Sequence, residues 1–244
     1  MTPPAPIALV EYLARGGCGG RREAARLIAA GRVKVNGQPA TNGNVEVVHG
    51  KDHVRVDEKL VKKLFPSTFI LLNKPEKTIT AAADPHDRRT VYACLGKYGK
   101  AVQAVGRLDW DTEGALLFTN EGELGHALTS PASKVQKVYR VKIKGHASAA
   151  ELAKLRQGVD IGGYRTAPAQ VRSFSVEPAN MWLRITLVEG KYHQVKRMVE
   201  AIGHRALKLV REKFGPLEIA GLRPGEWRHL EDSEVRQLRE LVKR

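Results

Sequence analysis

The stretch that decides the fold is Val105-Gly-Arg107-Leu-Asp109-Trp-Asp111-Thr-Glu-Gly114-Ala-Leu-Leu-Phe118-Thr-Asn120. It opens as a loop carrying one arginine, two aspartates and a threonine, then runs into an apolar segment that reads as a buried strand. Taken alone, two carboxylates two residues apart read first as turn formers and second as a metal-binding pair, and no His or third acid nearby completes a cage. Upstream, Thr68-Phe-Ile-Leu-Leu-Asn73 is another short apolar run, stopped by Lys74-Pro75. Downstream, Val138, Arg140, Lys142 and Lys144 alternate with Tyr139, Val141 and Ile143, which predicts a half-exposed strand with a basic face. Leu183, Ile185 and Leu187 alternate in the same way. Val195, Met198, Val199 and Ile202 fall at helical spacing and predict an amphipathic helix over about 193–202, closed by Gly203. Strands and helices alternate without strict βαβ order, so the class is α+β.

The N-terminal part has a different pattern. Ile7, Leu9, Val10 and Leu13 predict a short helix ending in the cluster Gly16, Gly17, Gly19, Gly20. A second helix follows from Arg21 to about Ala30, with Ala24, Leu27 and Ile28 on one face. Val33-Lys-Val35, the Asn36-Gly37 turn signal, and the pairs Val45/Val47 and Val54/Val56 then predict short strands. The charged stretch from Asp57 to Pro66 is the candidate linker, which gives domains at 1–60 and 67–244.

Composition narrows the function. Among 244 residues, 41 are basic and 26 acidic, a formal charge of +15 with pI near 10.0. Residues 1–66 hold 11 of the basic and 6 of the acidic side chains, so both parts are positive and suited to one polyanion, nucleic acid first and an anionic membrane surface second. Two cysteines exclude a disulfide scaffold, and no apolar run has the length of a membrane span. The short apolar segment near the N-terminus lacks a preceding basic stretch, so no signal peptide is expected and the compartment reads as reducing and cytoplasmic. Arg21, Arg22 and Arg26 lie at the start and along one side of the second helix, and Arg32 and Lys34 follow on the next strand. Cations at a helix N-terminus oppose the helix dipole, but they suit a phosphate bound there; the alternative is a solvated helix face.

The segment Gly20-Arg-Arg-Glu23 through Gly31-Arg-Val-Lys-Val-Asn-Gly37 resembles the S4 RNA-binding domain over about residues 7–56. It departs from that pattern at Gly20, where the family usually has Ser, and near Ala8, where a basic residue is usual. Gly106-Arg-Leu-Asp109-Trp-Asp-Thr-Glu-Gly114 resembles the active-site loop of pseudouridine synthases, in particular the ribosomal RNA branch with an N-terminal S4 domain. The resemblance continues through Asn73-Lys-Pro75, Lys137-Val-Tyr139, Glu189-Gly-Lys-Tyr-His193-Gln-Val-Lys196-Arg-Met198, Gly215-Pro-Leu and Leu222-Arg-Pro-Gly225-Glu-Trp-Arg228.

That resemblance implies a catalytic domain with a mixed, largely antiparallel sheet, and isomerisation of a flipped uridine without cofactor or metal. It assigns Asp109 as the catalytic carboxylate, as nucleophile or base at the ribose, with Asp111 ordering the loop. Lys196 becomes its basic partner, Tyr139 the ring packing on the base, and Arg107 the residue that fills the vacated space or holds the phosphate. Leu187 packs beside the uracil, and His193 fixes backbone geometry. Arg21, Arg22, Arg26, Arg32 and Lys34 are the expected RNA contacts. Ribosomal RNA, or an assembly intermediate of the ribosome, is the expected partner of a monomeric enzyme. The wording Tyr192-His-Gln-Val-Lys-Arg-Met198 leans to small-subunit rather than large-subunit rRNA. The rival is a non-catalytic S4-type RNA-binding or ribosome-assembly protein, which would require a lost catalytic group, whereas Asp109 is present.

Overall fold

The computed structural model describes residues 6–62, 64 and 66–243. The N-terminal unit begins with β1 (Ile7–Ala8), α1 (Leu9–Arg15) and α2 (Arg21–Ala29). It continues through β2 (Val33–Val35), β3 (Gln38–Pro39), β4 (Glu46–Val47), β5 (Val54–Val56) and β6 (Lys59–Leu60). Strands β3-β2-β5-β6 make one small sheet, and β1 pairs with β4 apart from it. Leu9, Tyr12, Leu13, Ala24, Leu27, Ile28, Val33 and Val54 form its core.

Two details differ from the sequence expectation. Ile7 and Ala8 pair with Val47 and Glu46 as strand, because Ala8 has extended dihedrals and the helix starts only at Leu9. The first half of the candidate linker belongs to the small sheet, since Lys59 and Leu60 pair with Val56 and Arg55. The last part is tied down: the Pro66 carbonyl accepts from Asn120 Nδ2 at 2.8 Å and from the Thr68 hydroxyl at 2.6 Å.

The larger unit holds β7 (Phe69–Lys74), β8 (Gln103–Ala104), β9 (Thr112–Thr119), α3 (Gly122–Thr129), β10 (Lys137–Lys144) and α4 (Ala149–Gln157). Then come β11 (Gln170–Val176), β12 (Asn180–Leu187), α5 (Gln194–Ala201), β13 (Ala206–Phe214), β14 (Leu217–Glu218), β15 (Trp227–His229) and α6 (Asp232–Val242). Their sheet runs β11-β12-β10-β13-β9-β7-β15, with β14 added to β13 and β8 to β9. Every pairing is antiparallel except β13 with β9. The sheet is therefore mixed and largely antiparallel.

The apolar run 69–72 is buried because β7 lies between two strands and under two apolar layers. The alternating pattern of β12 buries Met181, Leu183, Ile185 and Leu187 beneath α4 and α5. In α5, Val195, Met198 and Val199 face that cluster as their spacing predicts. The parallel contact of β13 with β9 depends on Gly114, whose φ is +116°. A Cβ there would lie 2.2 Å from the Arg211 carbonyl oxygen, so only glycine lets the two backbones meet. That contact joins the two halves of the sheet beside the loop that begins with Val105.

Candidate active site

Asp109 sits in the loop between β8 and β9, and this loop is pinned from both sides. Leu108 is buried, and its backbone exchanges bonds with the Thr80 hydroxyl, at 2.8 Å to its carbonyl and 3.3 Å from its N–H. From below, the fully buried Lys74 donates to the carbonyls of Thr112 at 2.8 Å, Pro75 at 3.0 Å and Trp110 at 3.4 Å. Burial pushes the Lys74 ammonium down to about 8, partly offset by the Asp111 and Asp109 carboxylates. Lys74 was legible only as the end of an apolar strand.

Helix α5 brings Lys196 to the carboxylates. Its Nζ lies 2.5 Å from Asp111 Oδ1 and 3.7 Å from Asp109 Oδ2. The ammonium thus spans both acids, with the closer contact to Asp111, whereas the resemblance pairs it with Asp109. Burial raises the Asp111 carboxyl, but the hydrogen bond and charge of Lys196 outweigh it and leave the group below its usual range. Nor is Lys196 a solvated surface lysine: its side chain is 18% exposed.

His193 precedes α5 in the left-handed conformation (φ +51°). That turn also carries its Nε2 to 3.5 Å from Asp109 Oδ1. Asp109 therefore has an ammonium near one oxygen and an imidazole near the other. Among the described residues no cluster of three metal-ligating side chains occurs.

A cleft of about 480 Å³ opens beside Asp109, within the range of small-ligand sites. Arg107, Asp109, Tyr139 and Leu187 all line it, so the structure brings together the base-handling residues expected from sequence. Lys196 stands just behind, through Asp109. Tyr139 is half-buried between two apolar layers and sits opposite Arg211 in the β10–β13 register. Leu187 is buried and Arg107 is exposed.

Two cations to which the sequence reading gives no role also line the cleft. Arg211 is 3% exposed; its Nε donates to the Ala115 carbonyl at 2.7 Å, and its buried Nη2 has no partner among the described residues. Lys137 donates to the Val135 carbonyl at 2.9 Å. Burial, then the Arg211 charge, push its ammonium down to about 8, with Glu189 acting in the opposite sense. No local pattern marks Arg211, and Lys137 is legible only as the start of the Lys137-Val-Tyr139 segment. They enter the cleft only because β10 and β13 are neighbours.

The basic residues of the N-terminal unit are arranged less openly than expected. Arg32 pairs with Asp57 (Nε to Oδ1, 2.7 Å), Lys34 with Glu58 at 2.6 Å and Arg26 with Glu23 at 3.6 Å. Arg21 lies 3.9 Å from Glu123 of the larger unit. Arg22 is exposed and, among the described residues, without an ion pair. At the start of α2 the Gly20 backbone lies close to the larger unit: a Cβ on Gly20 would fall 1.6 Å from Gln103 Nε2. That contact falls at the position where the resembled domain has serine.

Comparison with known proteins agrees with this architecture. Residues 68–201 match the family model for RNA pseudouridylate synthase, and residues 9–52 match the S4 domain. The chain is 37% identical over 236 residues to "Ribosomal large subunit pseudouridine synthase B" of Bacillus subtilis, covering 96% of each. It is 36% identical to an "Uncharacterized RNA pseudouridine synthase" of Aquifex aeolicus, covering 97% of this chain and 95% of that one. A solved structure described as "Crystal structure of pseudouridylate synthase" aligns with a TM-score of 0.65 and 28% identity over 95% of this chain and 99% of the other. With an S4 domain ahead of a mixed sheet whose cleft gathers Asp109, Tyr139 and Leu187, the chain belongs to the RNA pseudouridylate synthase family and is a pseudouridine synthase.

Proposed function

We propose that the enzyme converts one uridine of ribosomal RNA to pseudouridine, with Asp109 as its catalytic carboxylate. The observation that carries this reading is the placement of Asp109 at the cleft wall between Lys196 at 3.7 Å and His193 at 3.5 Å. The reaction breaks the N-glycosidic bond, turns the base and rejoins it to the ribose through carbon. The carbon proton leaves and the freed ring nitrogen ends protonated, so nothing is gained or lost overall. The base is taken out of its stack to reach the site. Asp109 acts at the ribose, as nucleophile or as base, and the two cationic neighbours aim it. Tyr139 and Leu187 hold the ring, and Arg107 occupies the space the base leaves or meets its phosphate. Arg21, Arg22, Arg26, Arg32 and Lys34 serve the RNA docking of the S4 domain, with Arg22 the most available of the five.

The large subunit is the favoured location of the target. The Bacillus subtilis relative and one from Haemophilus influenzae, 36% identical over 240 residues, both carry large-subunit names. The small-subunit alternative rests on the Tyr192–Met198 wording. Mapping pseudouridine in rRNA from cells lacking the protein, then complementing with wild type and Asp109→Asn, tests both points. One site vanishes and returns with wild type only, and its position assigns the subunit. Equal restoration by Asp109→Asn rejects Asp109 as the catalyst.

A further inference from the structure

Four aromatic side chains stand out as exposed among the described residues: Trp110, Tyr164, Phe174 and Tyr192. Tyr164 and Tyr192 line the active-site cleft, and Trp110 lies between Asp109 and Asp111. Scattered surface aromatics need no explanation, but a group of them around one cleft does. Tyr192 is 70% exposed, and one face of its ring is stacked on His193, with centroids 3.9 Å apart and planes 17° from parallel. His193 in turn touches Asp109. The order is therefore carboxylate, imidazole, phenol, and then an open aromatic face.

We propose that the Tyr192–His193 stack is a platform for the base of a nucleotide adjacent to the target uridine, so that the enzyme takes its target from an unpaired segment of RNA. The proposal deepens the reading of this cleft as a uridine site and rests on it. The target base itself does not use this platform, because His193 stands between Tyr192 and Asp109, while Tyr139 and Leu187 lie in the cleft beside the acid. A neighbouring base is the group of matching shape: flat and apolar on its faces, and attached to the same strand. A base inside a duplex has both faces covered by its neighbours, so only an unpaired nucleotide presents a face to Tyr192. Base–aromatic stacking tolerates any base identity, so the platform selects an open structure more than a letter. The exposed cleft cation Arg107 is available to the phosphates of the same segment.

The test uses a stem–loop RNA excised around the uridine that the mapping experiment locates. 2-Aminopurine is placed at each flanking position in turn. At one position its fluorescence is quenched on binding wild type and Tyr192→Phe, and not on binding Tyr192→Ala. In turnover, Tyr192→Ala raises KM by roughly 5- to 150-fold, the range of one lost stacking contact, with a much smaller change in kcat. Removing the base at the quenched position costs wild type about as much, and the two changes together cost no more than either one. Losses that multiply, an unchanged KM, or equal turnover when the flanking nucleotides are paired overturn the platform and leave the isomerase reading intact. Failure to find any dependent uridine removes the isomerase reading itself.

Discussion

Lys74 carries a prediction that joins stability, pH and the catalytic loop. Its ammonium is fully buried against three carbonyls and pushed from 10.5 down to about 8. In the unfolded chain the same group holds its proton to about 10.4. Between those two values the unfolded state binds more protons, so this residue makes the protein more stable as pH rises from about 8 to about 10.5. At 1.36 kcal/mol for each tenfold change, the full span amounts to about 3 kcal/mol. Lys74→Met keeps the length of the side chain and removes the titration. Chemical denaturation of both proteins at pH 7.5, 9 and 10.5 isolates the effect, because all other groups titrate in both. The stability of wild type relative to the variant rises by up to about 3 kcal/mol across that series. Parallel pH profiles refute the reasoning, since they mean that the lysine is solvated in the folded state. The variant also loosens the loop between β8 and β9, so its kcat at pH 7.5 falls, whatever the sign of its stability change there.

Three other outcomes follow from the site and the sheet. Lys196→Gln, which removes the only ammonium near both Asp109 and Asp111 among the described ion pairs, lowers kcat by roughly 100-fold or more; single-turnover kinetics measure this, and Lys196→Arg keeps most of the rate. Gly114→Ala drives a methyl group into the backbone of Arg211 at a positive φ, costing more than about 3 kcal/mol, read as a lowered thermal midpoint or loss of soluble protein. Gly20→Ser presses on Gln103 at the junction of the two units and changes stability by less than about 1 kcal/mol, because the end of a flexible side chain yields.

The group of residues around Asp109 was partly legible because its members sit in local patterns. The loop before Ala115, the alternation around Tyr139 and the spacing of Val195, Met198 and Val199 each define an element and its face within a few residues. Lys74, Lys137 and Arg211 were not legible as buried cations of the site, although the first two fall in segments that carry the resemblance. Burying a cation is unfavourable on local grounds, and for Lys74 and Arg211 carbonyls of the distant strand β9 make it tenable. The same limit hid the packing of the α2 N-terminus. Nothing near Gly20 in the sequence shows that Gln103, some 80 residues further on, is placed against it.

The sequence by itself determined the two N-terminal helices, the strands β7, β9, β10 and β12, the helix α5, the order of the two units, and part of the chemical set in the cleft, while α3, α4, β11, β13 and α6 were not read from it. The parts it determined depend on periodicity, turns and residue identity over short spans. The tertiary structure alone decided that Lys196 lies nearer Asp111 than Asp109, that His193 reaches the same carboxylate and that Arg211 stands across from Tyr139. Lys196 and Asp111 are 85 residues apart in the chain. Their separation in space is set by how α5 packs on the sheet and by the one parallel strand contact that Gly114 permits, and no local pattern encodes either.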